Sequence, residues 1–333
     1  MSTDIGIDLG TSSIIAYVKG KGIVLREPSV VSVDKTKNEI IAYGKEAKRM
    51  IGKTPKHIQT IMPLSEGVIS DFTLATKMLK HFIKKACSNR FIQPRIMICV
   101  PSQISEVERR AVIDASLQSG AKRVYLIEEP VAAAIGAGVD ISKPSGNLII
   151  DIGGGTTDIA VISIGNSVVN TTIKVAGDKF DEAIIKYIKK KYKTIIGKNE
   201  AEELKKKIGS VYPKDEDETA MIFGSDIDSG LPNSIEIKSS ELIRILLPEV
   251  MKIIDALKFV LEKTPPELVE DISEKGIYVT GGGSLIYGLD KVIENNTGIK
   301  VMVAQDAVSC VAIGTGKALE NINKFDAQRR KAN

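Results

Sequence analysis

The sequence predicts an α/β protein made of two related lobes, each with a mixed sheet flanked by helices. Short apolar runs alternate with helical patterns along much of the chain, which is typical of this fold class. The 333 residues exceed the length of about 100 to 200 residues that is common for one domain. In addition, IDLGTSSIIAYV at 7–18 is echoed by IDIGGGTTDIAVIS at 150–163, so one strand, turn and strand unit occurs twice.

Six short runs rich in β-branched residues predict strands, and several of them end at glycine or proline. In chain order these runs are IGIDLG, RIMICV, RVYLIEE, NLIIDIG, DIAVISI and GIYVTGG. Between them, residues 105–119 predict a helix that opens with a serine cap and stops at Gly120. Its spacing places Val107, Ala111, Ile113 and Leu117 near one helical face.

The duplicated unit predicts two lobes that face each other. We assign residues 1–145 together with 311–333 to the first lobe and residues 146–310 to the second. The segment DISKPSGN at 140–147 is rich in residues that interrupt regular structure, so it is the expected linker.

Composition excludes several classes of function. The net charge of +4 is small for this length, and lysines are scattered among nearly as many acids, so a nucleic-acid partner is not expected. Three cysteines, Cys87, Cys99 and Cys310, lie far apart and share no ligand spacing with His57 or His81. Neither a zinc site nor a disulfide framework is expected.

The pattern of hydrophobic residues predicts a protein that stays in water or lies on a surface. It contains no run of about 18 uncharged apolar residues, which a membrane-spanning helix would need. The chain enters the strand pattern IGIDLG almost at once, without a basic segment or an apolar signal core. We therefore expect a cytoplasmic location.

The two repeated turns carry the chemistry that the sequence predicts. In each turn an aspartate, Asp8 or Asp151, ends a strand and is followed by glycine and threonine, which allow backbone N–H groups to surround phosphate oxygens. The two aspartates would hold a hydrated Mg²⁺ ion between them, because Mg²⁺ keeps several waters beside a few carboxylate contacts. Either turn alone would favour an ordinary hairpin with a glycine turn over phosphate binding. The matched pair favours phosphate binding.

A third glycine cluster lies near the end of the chain. Residues Gly281, Gly282, Gly283 and Ser284 follow the apolar strand IYVT and precede a helical pattern. Backbone N–H groups at the start of a helix would then face a nucleotide or its ribose. The alternative is a plain turn between strand and helix.

The order of these motifs resembles the superfamily of actin, heat-shock chaperones and sugar kinases. IDLGTSS, ICVPS, LIEEPVAAAIGAG, DIGGGTTD, TGGGS and CVAIGTG follow one another across nearly the whole chain. The segments EPSVVSVD, MIGKTP, VERRAVIDA, KTPPELVEDI and GIYVTGGGSLIYGLD look more closely like MreB, the bacterial actin family. This resemblance implies an actin-like fold with ATP or ADP and Mg²⁺ in the cleft between the lobes, and ATP-dependent polymerisation.

The resemblance also implies roles for individual residues. Glu129, rather than Glu128, would orient the water that attacks ATP, and Thr156 would help to place that water or the γ-phosphate. Both glutamates also suit the start of a helix, and for Glu128 we prefer that structural role. The phosphate-gripping residues would be Gly10, Thr11, Ser12, Ser13, Gly153, Gly154 and Gly155.

The part of the site nearest the nucleoside is implied less directly. Glu202, Glu203 and Lys205 would approach the ribose or adenine, although AEELKKK is also an ordinary solvated helix. Relatives commonly carry TAN where this chain has Thr11, Ser12 and Ser13, and TTE where it ends in Asp158. These departures bear on the rate of hydrolysis rather than on ATP binding.

Self-association and membrane contact follow from the same resemblance. Identical subunits in head-to-tail contact extend without closing, so we expect a homopolymer of paired protofilaments. A peripheral location on the inner face of the membrane is expected, with other cell-shape proteins as partners. Phe91 and Ile92 in NRFIQP would insert, or else pack beneath the next strand. Three basic residues, Arg329, Arg330 and Lys331, would attract anionic lipid or only solubilise the tail.

Two other functions share these phosphate turns. A small-molecule kinase needs an acceptor pocket and a base for its hydroxyl, and no insertion in the sequence supplies one. A chaperone-type nucleotide switch needs a separate peptide-binding domain, and about 17 residues after CVAIGTG are too few for one.

Overall fold

Two five-stranded mixed sheets form the centres of the two lobes. The computed structural model describes residues 4–87 and 93–319. Numbered in chain order, the strands of the first sheet are β1 Asp4–Leu9, β2 Ser13–Val18, β3 Gly22–Pro28, β9 Arg95–Val100 and β10 Arg123–Glu128. Those of the second sheet are β11 Asn147–Ile152, β12 Thr157–Ser163, β13 Asn166–Ile173, β17 Ile277–Thr280 and β18 Val301–Val303. All six predicted strands are therefore present.

The two sheets have the same topology. Their strand orders are β10-β9-β1-β2-β3 and β18-β17-β11-β12-β13. In each, the first strand of the repeat pairs antiparallel with the next strand in the chain and parallel with a later strand. The duplication that the sequence shows as a motif is thus a duplication of a whole sheet, and the predicted α/β fold with two related lobes is confirmed.

Smaller strand groups extend each lobe. They are the sheet of β4 Val31–Asp34, β5 Glu39–Tyr43 and β6 Ile58–Ile61, the hairpin of β7 Leu64–Ser65 and β8 Val68–Ile69, and the sheet of β14 Thr194–Ile195, β15 Thr219–Asp226 and β16 Pro232–Lys238. The helices are α1 Gly44–Met50, α2 Phe72–Ala86, α3 Glu106–Gln118, α4 Glu129–Ala137, α5 Gly177–Tyr192, α6 Lys198–Ile208, α7 Ser239–Lys263, α8 Pro266–Lys275, α9 Leu289–Thr297 and α10 Cys310–Ala318.

Helix α3 begins and ends where the sequence predicts, but it does not bury all of the apolar residues that share a face in the sequence. Ser105 and Glu108 form a reciprocal capping box at its start. Val107 and Leu117 are 79% and 44% exposed. The buried stripe instead contains Val112, Ala115 and Ser116, whose small side chains allow α2 to pack closely. Apolar character alone did not identify the packed face.

Helices α4 and α10 form a shared layer between the lobes. Helix α10 packs on β1 and β2 of the first sheet, whereas α4 packs on β11 and β12 of the second. The two helices cross so closely that a Cβ atom at Gly314 would collide with the backbone oxygen of Ala132, and one at Gly136 with that of Cys310. Because α4 precedes residue 145 yet contacts the second sheet, the lobe boundaries at 145, 146, 310 and 311 remain a proposal.

We expect Gly314→Ala to destabilise the protein by at least about 2 kcal/mol, because the added methyl group must separate two backbones rather than displace a side chain. The measurement is urea unfolding followed by circular dichroism. Gly197→Ala is the control: Gly197 has nothing within 4 Å of its Cβ position, and its change should cost less than about 1 kcal/mol. Equal unfolding midpoints for the two variants would show that the helix crossing relaxes freely.

Candidate active site

The two repeated turns have the same backbone geometry. In the first, the Gly10 N–H donates to the Ser13 carbonyl at 3.1 Å; in the second, the Gly153 N–H donates to the Thr156 carbonyl at 2.9 Å. Each turn connects two antiparallel strands, and its first glycine lies two residues after the aspartate. The structure therefore places the two motifs as equivalent turns at the ends of equivalent strands.

These turns meet face to face between the lobes. A Cβ atom at Gly154 would collide with the Ser12 hydroxyl, and one at Gly155 would lie 2.6 Å from Thr11 Oγ1. Only glycine allows this approach, because any side chain would push the turns apart. The Gly67 N–H, in the turn between β7 and β8, donates to Thr11 Oγ1 at 2.9 Å and covers the junction. No local sequence signal had indicated Gly67.

The turns open onto a cleft with a volume of about 820 Å³. Most of the residues selected from the sequence line it. They are Asp8, Gly10, Thr11, Ser12, Ser13, Glu129, Asp151, Gly153, Gly154, Gly155, Thr156, Glu202, Lys205, Gly281, Gly282 and Gly283. Glu203 and Ser284 do not line it. The sequence thus anticipated one connected surface built from both lobes.

The third glycine cluster forms a turn against the second repeat. Gly281 has a φ of +82°, and a Cβ atom there would collide with the carbonyl of Ile152. A short 3₁₀ turn follows at 282–285, in place of the predicted helix start. The Ser284 hydroxyl donates to the Gly281 carbonyl at 2.7 Å and is buried. Ser284 therefore holds the turn, whereas Gly282 has open space around it.

The charged residues of α6 have different surroundings. Glu202 pairs with Lys48 across the cleft at 2.6 Å and with Lys206 at 2.7 Å. Burial opposes ionisation of Glu202, but the two lysines outweigh it and lower its pKa to about 2. Lys205 donates to the Gly177 carbonyl at 2.8 Å, so it braces the start of α5. Glu203 is 71% exposed and lines a separate shallow depression.

Asp8 and Asp151 occupy matching positions in the two sheets. The Cys99 thiol, on the neighbouring parallel strand, donates to Asp8 Oδ1 at 3.6 Å. The Thr280 hydroxyl, on the neighbouring parallel strand of the other sheet, donates to Asp151 Oδ1 at 2.8 Å. Burial raises the pKa of each carboxyl to about 7. Both aspartates therefore hold their charge weakly while no cation is near.

Glu129 begins α4 at the same point of the cleft. Burial raises its pKa well above the usual range, and the negative charges of Asp158, Asp151 and Asp8 act in the same direction. Burial also raises the pKa of Asp158 to about 6. In residues 4–87 and 93–319, none of these four carboxylates has an ion-pair partner within 4 Å. The site therefore has an excess of negative charge.

A hydrated divalent cation fits this arrangement. Within the described part of the chain, no group of three His, Cys, Asp or Glu side chains is arranged to hold a metal directly. Mg²⁺ does not need such a cage, because it keeps several waters and takes oxygen ligands from phosphates. Asp8 and Asp151 stand on the two sides of the cleft and can each accept hydrogen bonds from those waters. A cation there would also offset the four carboxylates.

The structure does not describe the residues predicted to contact a membrane. Phe91, Ile92, Arg329, Arg330 and Lys331 lie outside the described residues. In the part that the structure describes, no helix has both the length and the apolar character needed to cross a bilayer.

The duplicated sheets, the crossed helices between them and the facing glycine turns together define a protein of the actin-like class. Residues 2–327 match the family model described as MreB/Mbl protein. The chain belongs to the MreB/Mbl family.

Individual relatives are similar over almost their whole length. The cell shape-determining protein Mbl of Bacillus subtilis is 50% identical over 327 residues, which is 98% of each chain. MreB5 of Spiroplasma citri, solved with ADP, superposes with a TM-score of 0.93 at 41% identity, over 98% of this chain and 99% of that one. Its AMPPNP complex also gives a TM-score of 0.93, at 42% identity, over 99% of both chains. A MamK double helical filament shares the fold, with a TM-score of 0.82 at 22% identity, over 96% of this chain and 99% of that one.

The raised pKa values predict a pH-dependent stability for the protein without nucleotide. Because the folded-state pKa of Asp8 and Asp151, about 7, lies above the ordinary value of 3.8, the folded chain binds protons more tightly than the unfolded chain. This contribution to stability is fully present below about pH 4 and is lost as the pH rises through 7. We expect the urea midpoint to fall between pH 5 and pH 8, and to fall less steeply in the double variant Asp8→Asn, Asp151→Asn.

Asp140→Asn is the control for that measurement. Asp140 is exposed, and hydrogen bonds from Ser142 lower its pKa, so it stays ionised over the whole range. An unchanged pH slope in the double variant would mean that the two aspartates do not titrate near neutrality.

Proposed function

We propose that this protein binds and hydrolyses ATP and polymerises into membrane-associated filaments that govern cell shape. The observation that carries the proposal is the pair of equivalent glycine turns facing each other across one acidic cleft. Such turns present backbone N–H groups to phosphate oxygens from both sides. Support comes from MreB5, which is 41–42% identical and was solved with ADP and with AMPPNP.

The protein's own groups divide into those that bind and those that position. The first turn, with Thr11, Ser12 and Ser13, grips phosphates from one lobe, and residues 153–156 grip them from the other. Mg²⁺, when bound, neutralises charge on the phosphate oxygens. Asp8 and Asp151 orient its waters. Because both turns must touch the same phosphates, bound ATP favours the closed arrangement of the lobes.

Glu129 positions the water for hydrolysis. The water oxygen forms a bond to the γ-phosphorus while the bond from that phosphorus to the bridging oxygen breaks and leaves its electron pair on ADP. One proton of the water passes to an oxygen of the released phosphate, while Glu129 holds the water in line by a hydrogen bond. In phosphoryl transfer, correct placement and charge neutralisation contribute most of the catalysis. Glu129 suits this role because it lines the cleft at the start of α4, beside both turns.

Assembly and membrane contact are proposed from the family. The relative Mbl is named as cell shape-determining, and the MamK structure is a double helical filament of the same fold. Head-to-tail contacts between identical subunits extend without limit, so a filament requires no second protein. The apolar pair Phe91 and Ile92, beside Arg90, is the proposed membrane-inserting segment, aided by the basic tail.

We expect Glu129→Ala to reduce phosphate release at saturating Mg-ATP by about tenfold to one hundredfold, because the water loses its positioning group. ATP-dependent pelleting should decrease as well. Glu128→Ala is the matched control, since Glu128 precedes it in the chain but does not line the cleft. Undiminished phosphate release by Glu129→Ala would refute the role of Glu129, while pelleting would still report on assembly.

Two further additions to that assay test the alternative functions. A panel of sugars and polyols should not be phosphorylated, and unfolded peptides should not accelerate turnover. A phosphorylated product would indicate a small-molecule kinase, and peptide-stimulated turnover would indicate a chaperone-type switch.

For membrane contact, we expect the double variant Phe91→Ser, Ile92→Ser to co-sediment less with vesicles that contain anionic lipid. Removing two apolar side chains removes most of the burial that drives insertion. The triple variant Arg329→Ala, Arg330→Ala, Lys331→Ala should lose only the salt-sensitive part of binding. Full binding by the first variant would assign the contact to another surface.

A further inference from the structure

Asp158 is a buried carboxylate at a position where the fold does not require one. It lies directly opposite Asp151 in the β11–β12 pairing and is 0% exposed. In the equivalent pairing of the other sheet, Ile15 lies opposite Asp8 and is also 0% exposed. The duplicate lobe therefore fills this site with an apolar side chain. A buried carboxylate costs more than a buried isoleucine unless it has a specific partner.

One oxygen of Asp158 is held firmly and the other is not. Oδ1 accepts the Ser102 backbone N–H at 2.8 Å and the Thr172 hydroxyl at 2.7 Å. Oδ2 is buried without a hydrogen-bond partner among the described residues. The Ser102 hydroxyl is likewise buried and makes no well-formed hydrogen bond within the described chain, although it lies near enough to the same carboxylate to lower the pKa of Asp158. Buried polar atoms that have no protein partner are usually hydrogen-bonded to an ordered water, and here two of them occur in one place.

That place adjoins Glu129. Asp151 and Asp158 project from the same face of their sheet, since directly opposed residues on adjacent strands share a face. Asp151 lines the cleft, whereas Asp158 is fully buried and is not part of the lining. Ser102 and Glu129 follow the carboxyl ends of the neighbouring parallel strands β9 and β10, where Val100 pairs with Glu128. Among charged groups, Asp158 acts on Glu129 more strongly than Asp151 or Asp8 does.

We propose that Asp158 Oδ2 and the Ser102 hydroxyl hold the attacking water together with Glu129, so that Asp158 is a further catalytic residue for hydrolysis. This rests on the proposed ATPase function. Ser102 follows strand β9 of the first sheet, whereas Asp158 lies in strand β12 of the second sheet. The water site is therefore complete only when the lobes are closed, because the Ser102 N–H fixes Asp158 across the gap. Hydrolysis is thereby limited to the closed state.

The test compares Asp158→Asn and Ser102→Ala with the parent protein. Both should lower the rate of phosphate release at saturating Mg-ATP by about tenfold or more. Both should leave the Kd for AMPPNP, measured by calorimetry, within about twofold. Thr172→Val is the matched control: it removes the hydroxyl that donates to Oδ1, leaves the Ser102 N–H in place, and should leave turnover within about threefold. Asp158→Glu, which keeps a carboxylate, should recover part of the rate.

A double variant separates a shared water from a structural effect. If Asp158 and Glu129 act on one water, Asp158→Asn with Glu129→Gln should be no slower than the slower single variant. Turnover of Asp158→Asn and Ser102→Ala at the parent rate would overturn the proposal. Multiplicative losses, or a loss of AMPPNP affinity equal to the loss of rate, would also overturn it and assign a structural role. If the parent protein itself released no phosphate above background, the ATPase function would fail instead.

Discussion

The close approach of two glycine turns is the constraint on which the rest of this structure depends. Gly154 lies against Ser12, and Gly155 against Thr11, at separations that leave no room for a Cβ atom. Two backbones from different lobes can therefore surround the same small, highly charged group. The crossed helices α4 and α10 make this possible by a second close approach at Gly136 and Gly314. Glycine residues thus determine the geometry both where the two turns meet and where helices α4 and α10 cross.

The duplication of the sheet is close, but the two copies have diverged where chemistry is expected. Asp8 and Asp151 match in position, and each accepts a hydrogen bond from a parallel neighbouring strand, from Cys99 and Thr280 respectively. One strand further out, the first copy has Ile15 and the second has Asp158. The proposed metal site thus uses equivalent residues of both copies. The carboxylate proposed to hold water occurs in only one of them.

The charged groups of the cleft affect the stability of the protein. Four carboxyls, Asp8, Glu129, Asp151 and Asp158, are crowded together, and burial raises the pKa of each. The cost of burying these charges weakens the fold at neutral pH unless a cation or protons offset it. A cation bound there would reduce this cost. The ion pair between Lys48 and Glu202 adds a separate link across the mouth of the cleft.

The sequence by itself determined the fold class, the six core strands and the two aspartate turns, because alternation of apolar residues and glycine punctuation are local properties of the chain. Glu129 was selected through the resemblance to a known family, because the residues alone indicate only an acid at the start of a helix. Only the tertiary structure decided which face of α3 is buried, that Ser284 holds its own turn, and that Glu203 lies outside the cleft. The same holds for Gly67 and Ser102, which reach the site from distant positions in the chain. Such assignments depend on contacts between segments far apart in sequence, and those contacts cannot be inferred from a local sequence pattern.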